Sequence, residues 1–187
     1  MKNKYGFESF LKLSEEMRNG YTDSLNKPEN GWEKDFKTKF KTVPSLFSEI
    51  YNVCGGTDPE KEAQELFDFV PGYRLMTPTE ILETYEEIQE LYNSDNEYES
   101  VIAFLQDFSG NFMAVAKSGK KEQIVSLVPE EGVVVMHDNV EAFWETIVKF
   151  YTEKVYFLDE DGYLSSDFDL EGEIGAEINK GIDFWNK

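Results

Sequence analysis

Apolar side chains recur at helical spacing through the first half of the chain and gather into short runs through the second. Phe7, Phe10, Leu11 and Met17 lie near a 3.6-residue period between Lys4 and Arg18, and Asn19-Gly20 ends that run. Tyr21 to Asn30 is polar and reads as a loop. Trp32, Phe36 and Phe40 then make one helical stripe with lysines on the other sides. Pro44 suits the first turn of a further helix, whose apolar face is Leu46, Phe47, Ile50, Tyr51 and Cys54 and which Gly55-Gly56 terminates. The stretch from Thr57 to Val70 is mainly acidic, with room for a short helix after Pro59. Pro71-Gly72 turns the chain into a short strand, Tyr73 to Met76.

Thr77-Pro78-Thr79-Glu80 combines a threonine cap, proline at the first helical position and glutamate three residues after the cap, so a helix should start here. Ile81, Leu82, Tyr85, Ile88 and Tyr92 give it one apolar side as far as Asn93. From Ser100 the period changes. Val101 to Leu105, Asn111 to Ala116, Gln123 to Val128 and Val133 to Met136 read as strands, the middle two joined by a loop containing Gly119. Asn139 should cap a helix with the face Val140, Phe143, Trp144, Ile147 and Tyr151. Val155 to Leu158 and Tyr163-Leu164 flank a turn at Asp159 to Gly162, and Ile174, Ile178 and Ile182 mark a weak closing helix. Neighbouring strands joined by tight turns make an antiparallel sheet. The expected class is therefore α+β, one domain with a curved, mainly antiparallel sheet and helices packed on one face.

Composition supports a folded core. Of 187 residues, 15% are aromatic and 40% hydrophobic, too many for a disordered acidic chain. No apolar stretch approaches the ~18 residues of a membrane span, and the first residues hold no apolar core of a signal peptide. The expected location is cytoplasmic. A single cysteine excludes an intrachain disulfide and a cysteine-based zinc site.

Charge narrows the choice of partners. Eighteen basic against 38 acidic residues give −20. Nucleic acid and anionic membranes repel such a chain, whereas a basic protein is drawn to it. The charge is uneven. Residues 1–41 carry nine Lys/Arg and seven Asp/Glu, a balance of +2, which leaves −22 for the rest. Leu75 to Ser100 has eight carboxylates and no Lys or Arg, and Glu153 to Glu177 has nine carboxylates and one lysine.

Few residues suggest chemistry. His137, the one histidine, follows a strand and precedes Asp138, but no Gly-x-Ser-x-Gly surrounds a serine that it could activate. Cys54 reads as the buried, inert end of a helix face. Asp159-Glu160-Asp161-Gly162 invites a calcium loop, yet with Gly162 at position six the first and twelfth positions are Phe157 and Phe168, where carboxylates are needed. An acidic hairpin turn fits better. Phosphate-loop and dinucleotide glycine motifs are absent, and no cofactor is expected. More informative are Glu83, Glu86, Glu87 and Glu90, on one helix side opposite the apolar face. Four like-charged neighbour pairs there cost roughly 1–2 kcal/mol in total at ~0.2–0.5 each, and the helix has no lysine to offset them. A well-packed apolar side could tolerate that cost, or the face could serve a cationic partner.

Several segments, in order, resemble the Smi/Knr-like proteins of the SUKH superfamily. Pro44-Ser45-Leu46-Phe47-Ser48-Glu49-Ile50-Tyr51-Asn52-Val53-Cys54-Gly55-Gly56 resembles that family's early helix with its closing Gly-Gly. Phe69 to Ile81, through Arg74-Leu75-Met76-Thr77-Pro78-Thr79-Glu80, is similar to its next signature. Val101 to Leu105, followed by Gly110-Asn111-Phe112, resembles its strand–turn–strand, with Asn111 where an acidic residue is also common. Val133 to Asp138 and then Ala142-Phe143-Trp144 resemble its later strand, His-Asp pair and aromatic helix. The likeness spans roughly 32–151; residues 1–31 form a helical lead and 152–187 an acidic extension with no counterpart. It implies an α+β fold without enzymatic activity. Bacterial members mostly neutralise toxins, often nucleases, and fungal relatives act as regulatory scaffolds.

The expected function is thus a non-enzymatic immunity protein that occludes a basic toxin domain. The candidate contacts are Glu83, Glu86, Glu87 and Glu90, then Asp159, Glu160 and Asp161. Two alternatives remain, a regulatory adaptor for a house-keeping protein and an enzyme or small-ligand binder using His137. A deep cleft holding His137 and an inward carboxylate would favour the last.

Overall fold

The structure, a computed structural model, describes residues 4–40, 42–58, 60, 64–129 and 131–186. The α+β class expected from the sequence is what forms. Six strands run antiparallel in chain order: β1 Asp68–Val70, β2 Tyr73–Leu75, β3 Ser100–Asp107, β4 Phe112–Ser118, β5 Lys121–Val128 and β6 Gly132–His137. They curl into a half-barrel. A separate hairpin pairs β7 Tyr156–Leu158 with β8 Leu164–Ser166. The helices are α1 Phe7–Met17, α2 Tyr21–Ser24, α3 Trp32–Phe40, α4 Ser45–Tyr51, α5 Pro78–Tyr92, α6 Val140–Thr152 and α7 Phe168–Ile178. Short 3-10 turns occupy Gln64–Leu66 and Asp183–Asn186.

Two irregularities in the strands matter later. Ala103 pairs with Ala114 but Leu105 with Met113, so Phe104 is an extra residue in β3. Likewise Ile124 faces His137 while Val125 faces Val135, which leaves Met136 as the extra residue of β6. Each bulge frees a backbone carbonyl from the ladder. That of Phe104 accepts from the Met76 amide at 2.9 Å, and that of Met136 from the Trp185 indole at 2.6 Å.

The core is built largely of rings. Phe10 stacks on Phe69 with centroids 4.2 Å apart and touches Phe7, Tyr21, Trp144 and Tyr151, which fixes α1 against α6 and β1. Buried Arg18 binds the same region. Its guanidinium lies 4.1 Å over the Tyr21 ring and donates to the Asp68 carbonyl at 2.6 Å and the Tyr151 hydroxyl at 3.1 Å. Tyr21, expected in a loop, is fully buried in α2 for this reason.

Gly55-Gly56 does more than end α4. The Gly55 amide donates to Asn26 O at 2.7 Å and the Asn26 amide to Gly56 O at 2.8 Å, so two backbones lie side by side. A Cβ on Gly55 would strike the Lys27 carbonyl. Gly56, at φ +94°, would put one 2.7 Å from the Met76 carbonyl. Part of the short helix expected after Pro59 lies outside the described residues; Gln64–Leu66 forms a 3-10 turn.

Candidate functional site

α5 begins as its sequence dictates. The Thr77 hydroxyl accepts the Glu80 amide at 3.2 Å, and the Glu80 carboxylate accepts the Thr77 amide at 2.8 Å. Glu80 is fully engaged here, because Arg74 also grips it with two bonds of 3.1 and 2.8 Å. Burial pushes its carboxyl up, but Arg74 and the Thr77 amide outweigh burial and hold it below the usual range.

Pro78, Ile81 and Ile88 bury one side of α5 against β3 and α3. The opposite side presents Glu83, Glu86, Glu87 and Glu90 to solvent, all four exposed. The structure adds one counter-charge that the helix itself lacks. Lys39, from α3, places its ammonium 2.5 Å from Glu86 and 5.6 Å from the Tyr85 ring centre. Glu83, Glu87 and Glu90 have no ion pair among the described residues, whereas Glu86 is paired from another helix. Sequence periodicity could not find Lys39, because the pair joins two helices 47 positions apart.

Beside this face runs a shallow groove of about 490 Å³, lined by Tyr85, Glu86, Gln89, Glu90, Asn93 and Glu99 among others. Three carboxylates, three side-chain amides and two hydroxyls border it. Lys39 pairs with Glu86 and Lys117 lies 3.9 Å from Glu99, which leaves Glu90 as the groove carboxylate with no ion pair among the described residues. Leu91, 64% exposed, stands on the same helix.

Asp159, Glu160 and Asp161 lie in the β7–β8 turn, which packs on α6 rather than beside α5. The Asp159 carboxylate accepts the amides of Asp161 at 3.0 Å and Tyr163 at 2.9 Å, so it shapes the turn. Glu160 and Asp161 are exposed there.

His137 ends β6 and is 2% exposed. Its Nδ1 lies 2.9 Å from Asn179 Oδ1. The Asn179 amide nitrogen donates to the Thr146 hydroxyl at 2.9 Å and the Gly175 carbonyl at 3.0 Å. A carbonyl can only accept, which fixes the orientation of that amide. Oδ1 must then receive a proton from Nδ1, and in the neutral ring Nε2 is left as an acceptor. Burial pushes the imidazole down to about 4, against a smaller opposing pull from Asn179, so the ring is neutral near pH 7. Cys54 is buried too, and burial pushes its thiol up to about 11.

Sequence reasoning passed over two residues that share His137's surroundings. Glu171 counted only as one of nine acidic residues in its stretch, and Trp185 had no assigned partner. Both line a cavity with His137. Neither a scan against protein-family models nor a search of curated proteins finds a match to this chain.

Proposed function

We propose that this chain is a non-enzymatic binding protein of the Smi/Knr-like kind, which neutralises a basic toxin domain by covering its active surface. The observation that carries this reading is the outer side of α5, where Glu83, Glu87 and Glu90 stand exposed, with no ion pair among the described residues, beside an acidic groove. A toxin that grips phosphate needs a positive surface, and a preformed negative face competes for it. The surrounding molecule supplies rigidity: α5 is capped at its start, held by Arg74 and anchored by Ile81 and Ile88 on the sheet. Its side chains are positioned before the partner arrives, which lowers the ordering cost of association.

The decisive test pairs the chain with the product of the adjacent gene. Co-purification from cells making both, followed by growth rescue, supports the reading. Glu86→Lys combined with Glu87→Lys should weaken the complex and flatten its dependence on salt. Unchanged affinity and unchanged salt slope would reject α5 as the contact.

A further inference from the structure

A second feature, independent of the α5 face, lies where β6, α6, the β7–β8 hairpin and α7 meet. They enclose a cavity of about 470 Å³, within the ~300–1,000 Å³ typical of small-molecule sites. Its walls include Met113, Met136, Phe143, Ile147, Phe150 and Trp185. Met113 and Ser126 are cross-strand partners and so project from the same face of the sheet into this space. Rings and thioethers recur through this lining, which suits an aromatic or branched apolar body.

Besides hydroxyls from Ser126, Thr146, Ser165, Ser166 and two tyrosines, the polar side chains of the lining are His137 and Glu171. His137 is neutral, and its Nε2 accepts for the reason given above. Glu171, on the first turns of α7, lines the same cavity and is half-buried. Burial pushes its carboxyl up, and the Ser166 hydroxyl, hydrogen-bonded to it, offsets only part of this. No lysine or arginine lines the cavity, and Glu171 has no ion pair among the described residues. A desolvated carboxylate without a cation is unfavourable unless something positive joins it. Phe168, one helical turn before Glu171, lines the same space yet is 83% exposed, an apolar side chain placed to cover an occupant.

We propose that this cavity binds a small organic ammonium ion with an aromatic or branched apolar body, its charged group received by Glu171 and its body held among Phe143, Phe150 and Trp185. His137 Nε2 offers a second acceptor in the same space. The ligand's ammonium supplies the positive charge that the cavity lacks, and the acidity of the whole molecule enriches cations around it. An anion of the same shape would meet the Glu171 carboxylate with no lysine or arginine in the lining to offset it.

The full chain should be titrated with phenethylamine, with phenethyl alcohol as neutral isostere and with phenylacetate as anionic one, by calorimetry and tryptophan emission. The amine is expected to bind saturably, the alcohol about tenfold more weakly and the acid more weakly still, tenfold being the common worth of one charge-assisted contact. Glu171→Gln should bring the amine to the level of the alcohol and leave the alcohol unchanged, with thermal melting confirming that the variant is folded. Equal affinity for all three, no saturable binding of the amine at millimolar concentration, or an amine affinity indifferent to Glu171→Gln would overturn the proposal. Double substitution of Glu86 and Glu87 leaves this site untouched, so failure of the toxin reading and failure of this one are separable.

Discussion

Asn179 holds the Nδ1 proton of His137 across 2.9 Å, and its own amide is held by Thr146 and Gly175. One hydrogen-bond chain of buried side chains therefore joins β6, α6 and α7. Burial keeps the histidine neutral, with the ring pushed down to about 4 from an ordinary 6.5, while the Asn179 bond pulls more weakly the other way. The unfolded chain binds the proton over that window and the folded chain does not. His137 consequently reduces stability as pH falls through 6.5 toward 4, by about 3 kcal/mol in all. Carboxyls raised by burial, such as Asp68 and Glu171, act in the opposite sense. The difference from a variant isolates the histidine. His137→Phe should be less stable than the parent by ~1–3 kcal/mol at neutral pH, because Asn179 loses its partner. The gap should narrow or reverse on acidification, as followed by urea midpoints. A gap constant with pH would show that the ring does not stay neutral.

On α5, Glu87→Lys should stabilise the fold while it weakens partner binding. The change removes repulsion with Glu83 and Glu90 and replaces it with attraction at the same spacings, worth about 1 kcal/mol at low salt. Denaturant midpoints at low and high salt measure it, and the gain should fade as salt is added. A loss of stability would mean that Glu87 already has a favourable role in the free protein.

Gly175 lies under Trp185. A Cβ there would overlap the indole well inside van der Waals contact. Gly175→Ala should displace Trp185, break its bond to the Met136 carbonyl and cost ~1–3 kcal/mol. Tryptophan emission should shift to the red as the ring meets water. Preserved emission and stability would require the 3-10 turn Asp183–Asn186 to adjust freely.

Phe10→Ala should cost ~3–5 kcal/mol, as for other large aromatic truncations. The ring is fully buried and meets five others from α1, α2, β1 and α6. Calorimetric melting of the variant checks this, and a small change would mean that α1 is not essential to the core.

What could be read from the sequence was what neighbours in the chain decide. Thr77 and Asn139 cap the helices where they were expected, because a cap needs only the next three residues. The β4–β5 hairpin closes at Gly119, whose φ of +60° suits a tight turn. Tyr21 escaped notice because Arg18 and Phe10 bury it, and nothing in its own polar surroundings signals either contact. The C-terminal stripe misled for a related reason. Ile174, Ile178 and Ile182 are only half-buried, while Gly175, Asn179 and Trp185 take the interior. Their burial follows from a bulge in β6 and a hydrogen bond to His137, 42 positions away. The acidic face was visible as spacing along α5. The cavity was not, since its walls come from segments that meet only after folding.

The spare carbonyl of Met136 carries a further consequence for how the molecule is made. Trp185, which claims it, is synthesised 49 positions later. A nascent chain can complete all six sheet strands while one wall of the cavity is still unbuilt, exposing His137 and the aromatic lining. Vectorial synthesis thus gives this protein an interval in which its sheet is finished but its interior is open, and the indole closes it.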